Sequence, residues 1–586
     1  MQSAETVLDV LRERGRRGLP CDELYRQLFN PHLYLKAYGQ IYSNDGAMTP
    51  GADGETPDGM SLARIGRVID ALRHERYRFQ PAKRVYIPKK SGKLRPLGLP
   101  SWSDKLVGEV IRLLLEAYYE PRFSGRSHGF RPGRGCHTAL SEVAEKWAGT
   151  VWFIEGDISD CFGSLDHEIM VGILAEHIHD NRFLGLIRQM LKAGYLEDWE
   201  WNATLSGCPQ GGVVSPVLSN IYLDRLDQFA ETVLIPEYTR GAVRRGNPEY
   251  GRVRVAAARA RKRGDRPAAL ALRKRMRGMP SGDPGDPGFR RLRYARYADD
   301  HLLGFIGPRA EAEQIRDRLA VFLRDDLKLE LSPEKTLITH ARTGAARFLG
   351  YEITTQHSQC RRKVNGVIGL RVPRSVIKAK CAPYLKLGKP ERRTELLNCD
   401  DLTIISTYGA EYRGLAQYYL LAGDVWRLKR LRWVAETSML KTLAARHESS
   451  VTKMARKYKA TIATPHGPRV CFQATVERAG KKPLVARFGG IPLRRQKKTV
   501  IDDHLPVPPP SRRELIMRLR AGWCELCERR GHVEVHQVRK LADLEGTRQP
   551  QPEWARLMAR RRRKTLVVCQ GCHDRIHARS EAILTQ

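Results

Sequence analysis

The stretch that most constrains this 586-residue chain is Arg293-Tyr294-Ala295-Arg296-Tyr297-Ala298-Asp299-Asp300-His301-Leu302-Leu303-Gly304-Phe305-Ile306. Two alternating runs, 292–297 and 301–306, flank an Asp-Asp pair with no room for a long loop. That pattern predicts a β-hairpin with adjacent carboxylates at its turn. Carboxylates side by side repel one another. The pair is either a solvated turn, where Asp is common, or part of a cation site, because Mg²⁺ takes carboxylate oxygens together with substrate phosphates. A third carboxylate elsewhere in the chain decides between the two.

The length predicts about three or four domains. A hydrophobic fraction of 41% and a charged fraction of 28% describe a soluble globular protein. The formal net charge of +37 is far from ordinary, and such a field attracts polyanions. Nucleic acid is the expected partner and a membrane surface the alternative. No membrane span is expected, since the longest uncharged stretch, 201–223, is broken by Pro209, Gln210, Pro216 and Asn220. Glu5, Asp9 and Glu13 stand where a secretion signal needs basic and then apolar residues. Of twelve cysteines, four form two close pairs near the end, which predicts a reducing compartment and one metal site rather than a disulfide framework.

Residues 1–80 read as helical. Then Arg84-Val85-Tyr86-Ile87-Pro88-Lys89-Lys90-Ser91-Gly92-Lys93-Leu94-Arg95 predicts two short strands around a basic turn. Lys89 and Arg95 there are either cations that grip a triphosphate or a solvated hairpin tip. A helix over 104–119 precedes Ser127-His128-Gly129-Phe130-Arg131-Pro132-Gly133, a mixture suited to a nucleic-acid backbone. The third carboxylate arrives in Val151-Trp152-Phe153-Ile154-Glu155-Gly156-Asp157-Ile158, a hydrophobic strand ending in Asp157. An Asp there is costly to bury alone. Beside the hairpin it makes three carboxylates, enough for two Mg²⁺ ions about 3.5–4 Å apart. Cys161-Phe162 opens a helix expected to run past His167, with Asp160 and Asp166 as surface or capping residues.

Gly207-Cys208-Pro209-Gln210-Gly211-Gly212 leads into a helix over 217–229, whose start suits a nucleotide or template backbone. No Gly-Lys in the chain is followed by Ser or Thr, so a Walker loop is excluded. Residues 236–292 form a basic insertion in which 252–277 reads as a basic helix. A further helix is expected over 311–323, then short strands and turns at 329–336 and 348–353. Near the end, after a proline-rich linker at 505–510, Cys524-Glu525-Leu526-Cys527 and Cys569-Gln570-Gly571-Cys572 have the spacing of a four-thiolate structural zinc site. His573 and His577, at i and i+4, share one helix face, as metal ligands require.

Taken in order, Ile87-Pro88-Lys89 to Arg95, Gly129-Phe130-Arg131-Pro132-Gly133, Asp157 with Phe162, Pro209-Gln210-Gly211, Tyr297-Ala298-Asp299-Asp300, Lys335, and Phe348-Leu349-Gly350-Tyr351 closely resemble the blocks of a group II intron reverse transcriptase. The resemblance implies an α+β right-hand polymerase, with fingers and an antiparallel palm sheet, a helical thumb and maturase region, and a small ββα zinc-bound HNH module. The implied boundaries are 1–80, an extension and start of the fingers; 81–365, fingers and palm; 366–460, thumb and maturase; 461–510, a basic DNA-binding segment and linker; and 511–586, the HNH-like domain. It implies that Asp157, Asp299 and Asp300, with the Ile158 carbonyl, hold two Mg²⁺ ions. Lys89 and Arg95 then hold the triphosphate, Phe162 excludes a 2′-hydroxyl, Gln210 lines the nucleotide pocket, Lys335 protonates the leaving group, and 348–351 grips the primer.

The expected function follows: RNA-templated DNA synthesis, with binding and splicing of the parent intron RNA and its insertion into DNA in the bacterial cytoplasm at the nucleoid. The implied partners are that RNA, target DNA and deoxynucleoside triphosphates, with no membrane. A splicing-only maturase and another bacterial reverse transcriptase, of the retron or diversity-generating type, are the alternatives. Within the tail, His536, His573 and His577 resemble the metal ligands of an HNH endonuclease, with a departure. The family has two consecutive histidines where this chain has His536-Gln537, and the second is the usual general base. Glutamine cannot take a proton from water. Either His536 assumes that role with Glu534 at the metal, or the tail binds DNA, helped by the basic run 560–564, without cutting it.

Overall fold

The computed structural model describes residues 2–44, 46–88, 92, 94–197, 200–202, 206–207, 212–358, 365–465, 467–478, 481–497, 510–544 and 551–584. Among them, helices and strands are mixed throughout, and no helix is long and apolar enough to cross a membrane.

At the centre lies a four-stranded antiparallel sheet in the order Arg291–Tyr297, Asp300–Ile306, Trp152–Gly156, Leu337–His340. Side chains alternate across a strand, and here both faces are covered. Ile154, Tyr294, Leu303 and Phe305 enter one core, with the helices Trp102–Tyr119, Ser215–Phe229 and Arg309–Leu327. Phe153, Ala295 and Leu302 enter another, with the helices Cys136–Lys146 and Asp401–Tyr418. The alternation that predicted the hairpin therefore divides between two cores rather than between core and water.

A second sheet has the order Leu94–Leu99, Ala82–Pro88, Tyr195–Glu197, Glu200–Asn202, with the middle pair parallel. Its first two strands are the pair expected on either side of the basic stretch, whose residues 89–91 and 93 lie outside the described ones, and Ile87 registers with Arg95. Two expectations need correction. The helix opened by Cys161 stops at Ser164; a new one, His167–Ala175, starts after Asp166, whose carboxylate accepts from the Glu168 and Ile169 N–H groups at 2.9 Å. The basic insertion is not one helix but an antiparallel pair, Pro248–Lys262 and Arg266–Arg277. Gly264 at φ 78° turns the chain, and Asp265 caps the second helix.

Beyond the central sheet, the helices Asp401–Tyr418 and Lys429–Arg446 pack with a three-stranded sheet, Lys459–Ile462, Arg469–Arg478, Lys481–Gly489. Tyr412 meets Phe488 across that junction with ring centroids 5.3 Å apart. The C-terminal module pairs Val533–Gln537 with Thr565–Cys569 ahead of the helix Gln570–Leu584. Its sheet has a third strand, Met60–Ser61, contributed from the other end of the chain. Leu515, Leu519, Val535 and Val567 are buried in the same core as Tyr34, Tyr38 and Met60.

Candidate functional site

The predicted hairpin turns through Ala298 and Asp299, with Tyr297 paired to Asp300 and Ala298 at φ 55°. A two-residue turn of this kind matches the twist of its strands only with positive φ. On the neighbouring strand Gly156 registers with His301, so Asp157 stands beside Asp300 at one end of the two inner strands. The backbone after Asp157 is tied down as well. The Asp157 carbonyl accepts from Ser332 N–H and the Glu330 carbonyl from Ser159 N–H, both at 2.8 Å, and buried Ile158 bridges to Leu331. The structure thus brings Asp157 to the adjacent pair Asp299 and Asp300, from which it lies far apart in sequence.

Their electrostatics are those of a crowded acidic cluster. Burial, with the charges of Asp157 and Asp299, pushes Asp300 up to about 7, against the opposing Leu349 N–H and Lys335. Asp299 is also raised, first by burial and then by Asp157, while Lys335 and Arg95 act the other way. The Lys335 ammonium lies 2.6 Å from Asp157 Oδ2, and this bond raises its own pKa. Carboxylates under this much mutual repulsion suit divalent cations, which relieve it.

The turn is held from beneath by a buried polar network. Arg296 spends its donors on Asp227 Oδ1 and Oδ2 (2.8 and 2.6 Å), Asn220 Oδ1 (3.2 Å), the Ala298 carbonyl (2.9 Å) and Ser127 Oγ (2.9 Å). Tyr294 donates to the same Asp227 at 2.8 Å, and Asn220 donates to the Gly129 carbonyl at 2.9 Å. Gly129 packs so closely on the turn that a Cβ there would collide with the Ala298 nitrogen. Three sequence blocks are locked into one unit in this way.

Around the carboxylates, Arg95 is exposed on its strand, close enough for its charge to act on Asp299. The half-buried Phe162 ring lies 6.3 Å from Phe130, which is 6.4 Å from Tyr297. Lys89 and Gln210 lie outside the described residues. Phe348 and Tyr351 are buried, so the hairpin they flank presents its turn, Leu349-Gly350, rather than their rings. That turn is braced by Tyr418, whose hydroxyl donates to the Leu349 carbonyl at 2.6 Å, and by Tyr419, which donates to Gly350 at 2.9 Å.

In the C-terminal module the Sγ atoms of Cys524, Cys527, Cys569 and Cys572 all lie within 4.8 Å of one another. Burial disfavours the Cys524 thiolate, but the N–H groups of Cys527, Cys569 and Leu526 outweigh it and bring the thiol down to about 7. Arg575 donates to Cys572 Sγ at 2.9 Å. Four convergent thiols with backbone N–H support fit a structural zinc ion. A second cluster joins His536, His573 and His577, as expected, to Asp58, which was not. Gln537 is turned away from chemistry: its side-chain amide donates to the Tyr42 carbonyl at 2.8 Å and its N–H to Asp58 Oδ1 at 2.7 Å.

Sequence reasoning missed Asp58, Asp227, Asn220 and the role of Arg296. Only Arg296 left a signal: an arginine inside a core-facing strand needs a buried acid. Asp58 left none.

Comparison with known proteins matches three family models: reverse transcriptase (RNA-dependent DNA polymerase) over residues 87–353, type II intron maturase over 372–478, and AI2M/AI1M-like HNH endonuclease over 524–573. Among similar proteins, the group II intron-encoded protein LtrA of Lactococcus lactis subsp. cremoris is 36% identical, covering 98% of this chain and 99% of its own. An uncharacterized 91 kDa protein in the cob intron of Schizosaccharomyces pombe is 32% identical over 97% of this chain and 72% of its own. The putative COX1/OXI3 intron 2 protein of Saccharomyces cerevisiae is 29% identical over 93% of this chain and 65% of its own.

Proposed function

The chain belongs to the group II intron-encoded proteins, reverse transcriptases with maturase and HNH domains, and from that premise we propose how its residues divide the work. The central sheet is the palm of a right-hand polymerase, the sheet around Arg95 belongs to the fingers, and the helices after residue 372 form the thumb and maturase surface. Asp157, Asp299 and Asp300, with the Ile158 carbonyl, hold two Mg²⁺ ions. The crowding that raises Asp299 and Asp300 fits that role, because bound cations would relieve it. When bound, such ions supply charge neutralisation for in-line attack of a primer 3′-hydroxyl on a deoxynucleoside triphosphate.

The protein's own groups do the rest. Lys89 and Arg95 orient the triphosphate, and Gln210 lines the base pocket. Phe162 fills the space a 2′-hydroxyl would take, so DNA is made. Lys335, held beside Asp157, stays protonated and gives its proton to the departing pyrophosphate. The Leu349-Gly350 turn supports the primer end. The maturase surface binds the parent intron RNA and promotes its splicing. The zinc-clamped tail binds target DNA at the bacterial nucleoid, in keeping with a net charge of +37.

One observation carries the polymerase reading: the register of Gly156 with His301, which sets Asp157 next to Asp300. Primer extension on the protein bound to its own intron RNA tests it, comparing wild type with Asp299→Ala. Loss of incorporation with splicing retained is expected. Equal incorporation by both proteins would overturn the assignment.

A further inference from the structure

The cluster around Asp58 lies where the two ends of the chain meet. Asp58 Oδ2 is 2.8 Å from His577 Nε2 and 3.2 Å from His573 Nε2, and Asp58 Oδ1 is 3.2 Å from His536 Nδ1. The Nε2 atoms of His573 and His577 face each other at 3.3 Å. One ligand atom from each of the four residues falls within 4.8 Å of all the others. His536 is 5% exposed; its Nδ1 faces only Asp58 Oδ1, and its Nε2 has no hydrogen-bond partner among the described residues. A buried Nε2 without a partner is costly unless something else binds there. His573 uses its other nitrogen, Nδ1, at 2.8 Å from Glu534 Oε1, the orienting bond that metal-bound histidines make.

We propose that Asp58, His536, His573 and His577 together hold one divalent cation of the zinc type, and that this ion fastens the C-terminal module to the N-terminal segment. Three imidazoles and a carboxylate suit zinc rather than magnesium, which prefers an octahedral shell of oxygens. Four protein ligands also close the shell, as in structural sites, whereas a hydrolytic site keeps one position for water. The docked form is thus a staple, and Gln537, bonded to Tyr42 and Asp58, serves the joint rather than a reaction.

The surroundings support a joint at this point. Met60 and Ser61 pair with Val535 and Glu534, Gly59 N–H donates to the Val535 carbonyl at 3.0 Å, and Met60 is fully buried. Farther out, the Arg520 guanidinium lies 2.8 Å from His32 Nδ1. The proposal rests on the three histidines being metal ligands; the carboxylate from the other end of the chain and the fastening are what it adds.

Zinc content of the full-length protein after dialysis, with hydrogen exchange over residues 58–61 with and without zinc, tests both parts. Wild type is expected to hold two zinc ions, one on the cysteines and one here. Asp58→Ala and His577→Ala should each bind the second at least about tenfold more weakly, on the scale of losing a supporting group or more. His577→Ala keeps the Asp58 bond to Gln537 and the strand pairing, so a folding defect is not the explanation of its loss. Zinc should slow exchange at 58–61 in wild type but not in His577→Ala. A single zinc in wild type would overturn the histidine reading and the proposal with it. Two zinc ions held with unchanged affinity in Asp58→Ala would overturn the part given to Asp58 alone. Exchange at 58–61 that ignores zinc in wild type would overturn the fastening.

Discussion

Arg296 and Asp227 meet in an ion pair with no exposed surface, and the arginine reaches from it to the Ala298 carbonyl inside the Ala298-Asp299 turn. Such a pair adds little net stability over a well-packed apolar pair, but breaking it leaves a bare buried charge. Arg296→Met should therefore destabilise the polymerase region by about 3–5 kcal/mol. Arg296→Met with Asp227→Leu should recover much of that loss in urea unfolding while leaving primer extension impaired, because the tie to Ala298 is still missing.

Asp300 supplies a pH signature. Its folded pKa, about 7, lies above the ordinary 3.8, so between those values the folded state binds more protons than the unfolded one. Stability without divalent cations should fall as pH rises through that window and level off above it. A thermal melt series from about pH 5 to about pH 8 should show a steeper fall for wild type than for Asp300→Asn. Magnesium should reverse the fall in wild type with release of protons.

Gly129 tests the close approach beneath the turn. A Cβ there meets backbone rather than a movable side chain, so Gly129→Ala must shift the Ala298-Asp299 turn. A displacement of about 1 Å can cost on the order of a hundredfold in rate. Single-turnover extension should fall by that order while intron RNA binding, measured by filter retention, stays near wild type.

Removal of one thiol separates the tail from the polymerase. Cys569→Ser leaves three thiolates for a site built for four, and structural zinc contributes directly to folding. Limited proteolysis should then cut within residues 524–572, and binding to target DNA should be lost, with extension on an RNA template retained.

Affinity for intron RNA should fall steeply with salt, because a chain of net charge +37 releases many counterions on binding. Between about 50 and 200 mM salt a drop of roughly a thousandfold or more is expected in a titration. A flat response would argue against the broad basic footprint.

Much of the site was legible residue by residue. The hairpin could be read because strand period and turn chemistry are local, and Asp157 because an acid ending a hydrophobic strand demands a partner. The cysteine pairs were legible because a zinc knuckle needs two thiols within one turn of chain. The helix break after Ser164 and the split of the basic insertion were harder, since a cap such as Asp166 or Asp265 reads equally well as a surface residue until its hydrogen bonds are seen.

What the amino-acid order determined by itself, then, was the set of elements and the chemistry at their ends. Only the tertiary structure decided which distant groups meet: Arg296 with Asp227, Gly129 with Ala298, and Asp58 with Gln537 across 479 residues of chain. Periodicity and propensity report on neighbours a few residues apart, whereas these contacts depend on how whole sheets and helices close against one another. No local pattern carries that information.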